Sequence, residues 1–104
     1  MVYPEHTRPT SPSVVLTRSN ERQHLARLAS ALAPYGIWAR VIEDGVPFLR
    51  ASNPASEFAT EDIACERSAY GYAFVTSFGL RVGGSDHPPR SARRIALLLG
   101  VTAP

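Results

Sequence analysis

A chain of 104 residues with 44% apolar and 19% charged residues has the balance of one folded domain and is too short for two ordinary ones. The formal charge of +2 lends only weak support to an anionic partner, and a single cysteine, Cys65, excludes an intramolecular disulfide and any multi-cysteine zinc site. No apolar stretch approaches membrane-spanning length and the N-terminus lacks a continuous apolar region, so the expectation is a cytoplasmic protein with no membrane association.

All the basic residues are arginine. Codon usage in a GC-rich genome accounts for that; so does a need for planar, bidentate contacts to carboxylate or phosphate. Residues 1–19 carry Pro4, Pro9 and Pro12 among Ser, Thr and Arg and read as a flexible tail, in which Val14-Val15-Leu16 is the one run able to add an edge strand. Residues 20–100 are expected to form the domain, and 101–104 a C-terminal tail.

Asn20 is placed to cap a first helix, with Gln23 completing a capping-box variant. Leu25, Leu28, Ala29 and Leu32 recur at helical spacing, and Pro34 and Gly36 end the helix near Ala33. The stretch Ile37–Ser52 reads as a β-hairpin around Glu43-Asp44-Gly45. A two-residue Asp44-Gly45 turn pairs Val41 with Phe48 and mixes apolar and charged residues on both faces. A three-residue loop with left-handed Gly45 shifts the register by one. Ile37, Ala39, Val41, Leu49 and Ala51 then share one face; Trp38, Arg40, Ile42, Phe48 and Arg50 share the other. The cleaner partition favours the three-residue loop.

Asn53-Pro54-Ala55-Ser56 reads as a loop and Ile63–Glu66 as a short strand, with a possible start near Ala59. Arg67-Ser68-Ala69 reads as a turn, Tyr70–Thr76 as an aromatic strand, and Phe78–Val82 as its continuation or a fifth strand. Gly83-Gly84-Ser85 is expected to break the sheet. Asp86 is placed to cap a last helix that has Pro88 and Pro89 in its first turn, an apolar stripe of Ala92, Ile95, Ala96 and Leu99, and Gly100 as its stop. The fold class is α+β, in two layers ordered α-β-β-β-β(-β)-α: a mostly antiparallel sheet with both helices on one face.

No catalytic constellation emerges. His6, His24 and His87 are scattered without ligand neighbours, Glu43-Asp44 sits at a hairpin tip, and Gly79 with Gly83-Gly84 makes no phosphate fingerprint. No metal, cofactor or enzymatic activity is predicted. The open sheet face is the candidate site. Trp38 beside Arg50 and Arg40 beside Phe48 are expected as cross-strand cation–π pairs. Tyr70, Tyr72 and Phe74 share one face of the later strand. They either extend the aromatic–arginine surface, with Tyr72 in the site, or fill the core while Gly71, Ala73 and Val75 face outward. Arg90, Arg93 and Arg94 form a basic stripe on the last helix, a solvated face or an anion and partner contact.

The helix ending Ala33-Pro34-Tyr35-Gly36-Ile37, the hairpin ending Pro47-Phe48-Leu49-Arg50, Ile63-Ala64-Cys65, the aromatic strand ending Phe74 and the helix Ala92-Arg93-Arg94-Ile95-Ala96 carry a resemblance. From about Leu25 to Gly100 the chain resembles small uncharacterised actinobacterial α+β proteins, often encoded beside helix-turn-helix regulators. That resemblance implies a regulatory or accessory role. The helix-sheet-helix order is also similar to secretion-chaperone-type domains, which dimerise and bind extended peptides. The leading expectation is therefore a small accessory or regulatory protein that binds another protein, with a transcriptional regulator as one partner and a homodimer as one form. The second expectation is a nucleic-acid-binding module. The third is a small-molecule sensor.

Overall fold

The computed structural model describes residues 12–56, 59–69 and 71–101, with side chains from Arg18 onward. Helix α1 spans Pro12–Leu32 and passes into a 3-10 turn, Ala33–Tyr35. The strands are β1 (Trp38–Ile42), β2 (Phe48–Ser52), β3 (Thr60–Ser68), β4 (Gly71–Thr76) and β5 (Arg81–Gly84), and helix α2 spans Pro88–Leu98. The strands pair in sequence order as one antiparallel five-stranded sheet. Short connections between consecutive strands favour antiparallel neighbours over parallel ones, which need a long crossover.

Both helices cover one face. Helix α1 lies over β1, β2 and β3, and α2 packs against α1 and β5. Leu25, Leu28 and Leu32 of α1 and Ala92, Ile95 and Ala96 of α2 enter one buried cluster with Leu99, Ile37, Leu49, Ala51, Ile63, Cys65, Phe74 and Val82. Each large aliphatic buried there contributes about 1.5–3 kcal/mol. Val41 borders this core, half-buried, on the same face.

The first helix begins earlier than its sequence suggests. It starts at Pro12, so Asn20 lies within it and caps nothing, and residues 12–19, read as tail, are helical. Proline suits the first helical position, where its missing N–H costs nothing, and neither proline nor glycine recurs before Pro34. The β-branched Val14, Val15 and Thr17 each disfavour the helix by only a few tenths of a kcal/mol. Two contacts tie α1 to the tip of the first hairpin: Arg18 donates to the Gly45 carbonyl at 3.5 Å, and Arg22 lies 3.6 Å from Glu43. Residues 1–11 lie outside the described residues.

The hairpin register is the expected one: Trp38 faces Ser52, Arg40 faces Arg50, and Val41 faces Leu49. Gly45 has φ +80°. The connection is longer than three residues, because pairing stops at Ile42 and Phe48 and the loop runs from Glu43 to Pro47. Pro47 has no N–H to close the next pair, and its ring is buried instead. Strand β3 runs through Arg67 and Ser68 and turns only after Ser68, which pairs with Gly71. Asn53, read simply as loop, is buried: its Nδ2 donates to the Leu99 carbonyl at 2.8 Å and its Oδ1 accepts from the Ala55 N–H at 3.0 Å. It thereby fastens the β2–β3 loop to the end of α2.

Gly83 and Gly84 do not break the sheet; they belong to β5 and pair with Phe74 and Ala73. A bulge at Val82 turns that side chain into the core. A side chain on Gly83, at φ +155°, would collide with the Ser91 hydroxyl and lie 3.2 Å from Ser91 Cβ. Glycine in a strand here marks close backbone approach, with α2 resting on β5. The cap of α2 is His87 rather than Asp86: His87 Nδ1 accepts from the Arg90 N–H at 3.2 Å.

The two glycines differ in a measurable way. Gly45 has open space around it, so Gly45→Ala should cost only the left-handed strain, about 1–2 kcal/mol. Gly83→Ala should add an overpacking cost of about 1–3 kcal/mol, part of which Ser91→Gly restores in a double-mutant cycle. Urea midpoints of the four variants measure this; equal losses at Gly45 and Gly83 would contradict the close helix–strand contact.

Candidate partner-binding face

Side chains alternate across a strand and paired residues point the same way, so the registers fix what the helix-free face displays. Three rows cross it. Trp38, Ser52 and Thr60 form the first; Arg40, Arg50 and Asp62 the second; Ile42, Phe48, Ala64 and Val75 the third. Four of the five expected partner-binding residues, Trp38, Arg40, Phe48 and Arg50, therefore stand together. Trp38 is 68% exposed, and Ile42 and Phe48 are half-buried. A shallow depression of about 390 Å3 lies between Trp38, Ala39, Arg40, Arg50 and Ser52.

The arginines are not equivalent. Arg50 Nε lies 2.9 Å from Asp62 Oδ1, and Nη2 lies 3.1 Å from Oδ2, a bidentate pair across β2 and β3. The hydrogen bonds and charge of Asp62 raise the Arg50 pKa further above its ordinary value. The same guanidinium lies 5.5 Å from the centre of the Phe48 ring. These contacts replace the expected cation–π pairs of Trp38 with Arg50 and of Arg40 with Phe48. Asp62 stands directly opposite Arg50 and takes its guanidinium, and Phe48 is the aromatic ring on its own strand. Arg40 is exposed and has no carboxylate partner among the described residues.

Tyr72 is not part of this face. Its register opposite Arg67, beside the Cys65–Phe74 pair, sets it on the helix side, where it is half-buried with its ring 4.8 Å from that of His24 on α1. Phe74 is wholly buried, and Tyr70 lies outside the described residues. The aromatics of β4 thus serve the core while Val75 faces outward. Arg90, Arg93 and Arg94 are exposed on α2, in the helix layer on the other side of the sheet, so the fold does not join them to Trp38. Arg94 Nη1 donates to the Val82 carbonyl at 3.3 Å.

Sequence reasoning did not single out Asp62, which stands just before Ile63. The signal was the register of β2 with β3, available only once both strands are aligned. Cys65 is buried, and burial, with Glu21 and Glu66 adding to it, pushes its thiol up to about 12, which makes it a packing residue rather than a nucleophile. Among the described residues no cluster of His, Cys, Asp and Glu could hold a metal ion, and no helix is long and apolar enough to cross a membrane.

No protein-family model, characterised protein or solved structure matches the chain. The functional reading therefore rests on the chemistry of this face.

His24 gives the α1–sheet contact a pH dependence. Burial, with Arg27 nearby as a smaller cause, lowers its pKa from the ordinary 6.5. The folded chain then binds this proton less readily than the unfolded one, so the stability it preserves is complete above 6.5 and is lost as pH falls from there towards the lower folded value. Urea unfolding of the wild type and of His24→Gln, at about pH 8 and about pH 5.5, should show the larger loss on acidification in the wild type. An equal loss in both would mean that the imidazole does not titrate against α1 docking.

Proposed function

We propose that the protein is a small accessory or regulatory protein that binds another protein through the open face of its first hairpin. The observation that carries this is the exposure of Trp38 beside Arg40, which has no carboxylate partner among the described residues, over a row of half-buried apolar side chains. Tryptophan and arginine are the residue types most enriched where a few side chains supply most of the binding energy. The core is complete without them, since both helices sit on the opposite face. Folding thus gives no reason for a tryptophan there, and a partner does.

A transcriptional regulator fits the resemblance read from the sequence, and a reducing cytoplasm fits the free Cys65 thiol. Nucleic acid is the second reading, favoured by the stacking surface that Trp38 offers beside arginine. Asp62 on the same face counts against it, because it neutralises Arg50 where a phosphate would have to bind.

Trp38→Ala combined with Arg40→Ala tests the proposal. Both side chains are exposed, so stability should change by no more than about 0.5 kcal/mol for each. Capture of a host protein by the tagged chain should be lost while circular dichroism stays unchanged. Undiminished capture by the double variant would refute this face as the interface. Salt-dependent retention of the wild type on DNA or RNA would move the assignment to nucleic acid.

A further inference from the structure

The sheet ends in β1 on one side and β5 on the other, and the two edges are finished differently. At β5 the edge is closed. Val82 forms a bulge, and its carbonyl accepts from Arg94. The Gly84 carbonyl accepts from the Ser91 hydroxyl at 3.4 Å and from the His87 N–H at 3.4 Å. At β1 none of this occurs. Residues Trp38–Ile42 pair with β2 alone, without a bulge or proline, and among the described residues nothing meets the outer N–H and C=O groups. An open, regular edge of this type is a template for another strand.

Charge identifies what fits. Arg40 stands directly opposite Arg50, a like-charged pair that is unfavourable in a sheet. Asp62 relieves Arg50 from the far side. The equivalent position for Arg40 lies beyond the edge, on a strand that the chain does not supply among its described residues. Trp38 and Ile42 flank Arg40 on the same face.

We propose that the outer edge of β1 receives an extended segment of another protein as a sixth, antiparallel strand, with a carboxylate opposite Arg40 and apolar side chains opposite Trp38 and Ile42. This rests on the reading of the hairpin face as a protein-binding site and specifies its geometry and chemistry. Main-chain pairing supplies the affinity and the alternate side chains the specificity, as in strand addition generally. A second copy of this chain fits poorly. Full-length pairing of β1 with another β1, both helix layers on one side, sets Arg40 against Arg40. Other registers that keep the layers together move in steps of two residues and shorten the overlap.

Trp38 is the only tryptophan, so its emission reports on this edge directly. The probe is the end-blocked peptide Thr-Val-Thr-Glu-Thr-Val-Thr, compared with one carrying Lys in place of Glu. Two further peptides carry N-methyl groups on alternate amides, one in each phase, so that each has one of its two edges blocked. The Glu peptide should change Trp38 emission saturably and bind at least about tenfold more tightly than the Lys peptide. Arg40→Glu, folded by circular dichroism, should reverse that preference. One N-methylated phase should abolish binding and the other leave it intact.

Equal binding of both N-methylated phases would overturn the edge geometry and leave the open face as the docking surface. No saturable change at about 1 mM of the Glu peptide would overturn the inference outright. Sedimentation showing a dimer of the wild type that Arg40→Glu alters would assign the edge to a second copy and overturn it as well. If host capture survives Trp38→Ala with Arg40→Ala, the parent reading fails. If that capture is lost while the peptides do not bind, only the strand-addition inference fails.

Discussion

The alternation of side chains along β1 and β2 makes one choice, the parity of their register, decide both faces of the molecule. In the observed pairing Leu49 and Ala51 meet the leucines of α1, and Arg50 stays in water. A slip of one residue would turn Arg50 under the helices and Leu49 out. Burying an unpaired guanidinium carries a penalty of several kcal/mol, more than any single loop contact supplies. Later registers inherit the choice. Leu49 faces Ile63, which puts Cys65 and then Phe74 on the covered side. The hairpin thus determines where the aromatics of β4 go, although it does not touch them.

Three residues guard that parity. Gly45 adopts the left-handed turn that the loop needs, and Pro47 ends the pairing while burying its ring. Arg18 reaches the loop carbonyl from α1, linking the helix to the hairpin tip. At the other end of the sheet the device is different. Gly83 lacks a side chain where Ser91 lies, so α2 lies directly on β5 and its polar groups occupy the strand's outward carbonyls. One edge is sealed by the packing that builds the core. At the other, nothing among the described residues meets the outer backbone groups.

The sequence was legible where two signals agreed. The stripe of Leu25, Leu28 and Leu32 and the alternation of Ile37 to Ala51 each implied the same buried face, and both hold. It misled where one residue type serves two purposes. Pro12 reads as a tail residue among prolines, yet proline opens helices as readily as it interrupts them. Gly83-Gly84 reads as a break, yet a strand pressed by a helix needs the same absence of Cβ. The β4 aromatics were ambiguous from sequence because alternation gives a strand two faces without naming the inner one. That choice comes from pairing with β3, a long-range contact that no local pattern carries. The Arg50–Asp62 pair was hidden for the same reason.

For the proposed partner-binding role, the charge row across the hairpin matters more than the aromatic content. Asp62 gives Arg50 two well-aligned hydrogen bonds, and the Phe48 ring lies beneath its guanidinium, so that arginine is already satisfied. An incoming group gains little from it and would have to displace Asp62 to use it. Arg40 has the opposite standing. It faces a like charge, carries no carboxylate of its own among the described residues, and sits at the rim beside the exposed Trp38. Water screens the repulsion between the two arginines while the face is open. A partner that covers the face removes that screening, which makes a carboxylate opposite Arg40 more favourable and a second cation less so. On the proposed partner-binding reading, the face would discriminate by charge only when it is covered, and the discriminating residue would be Arg40 rather than Arg50.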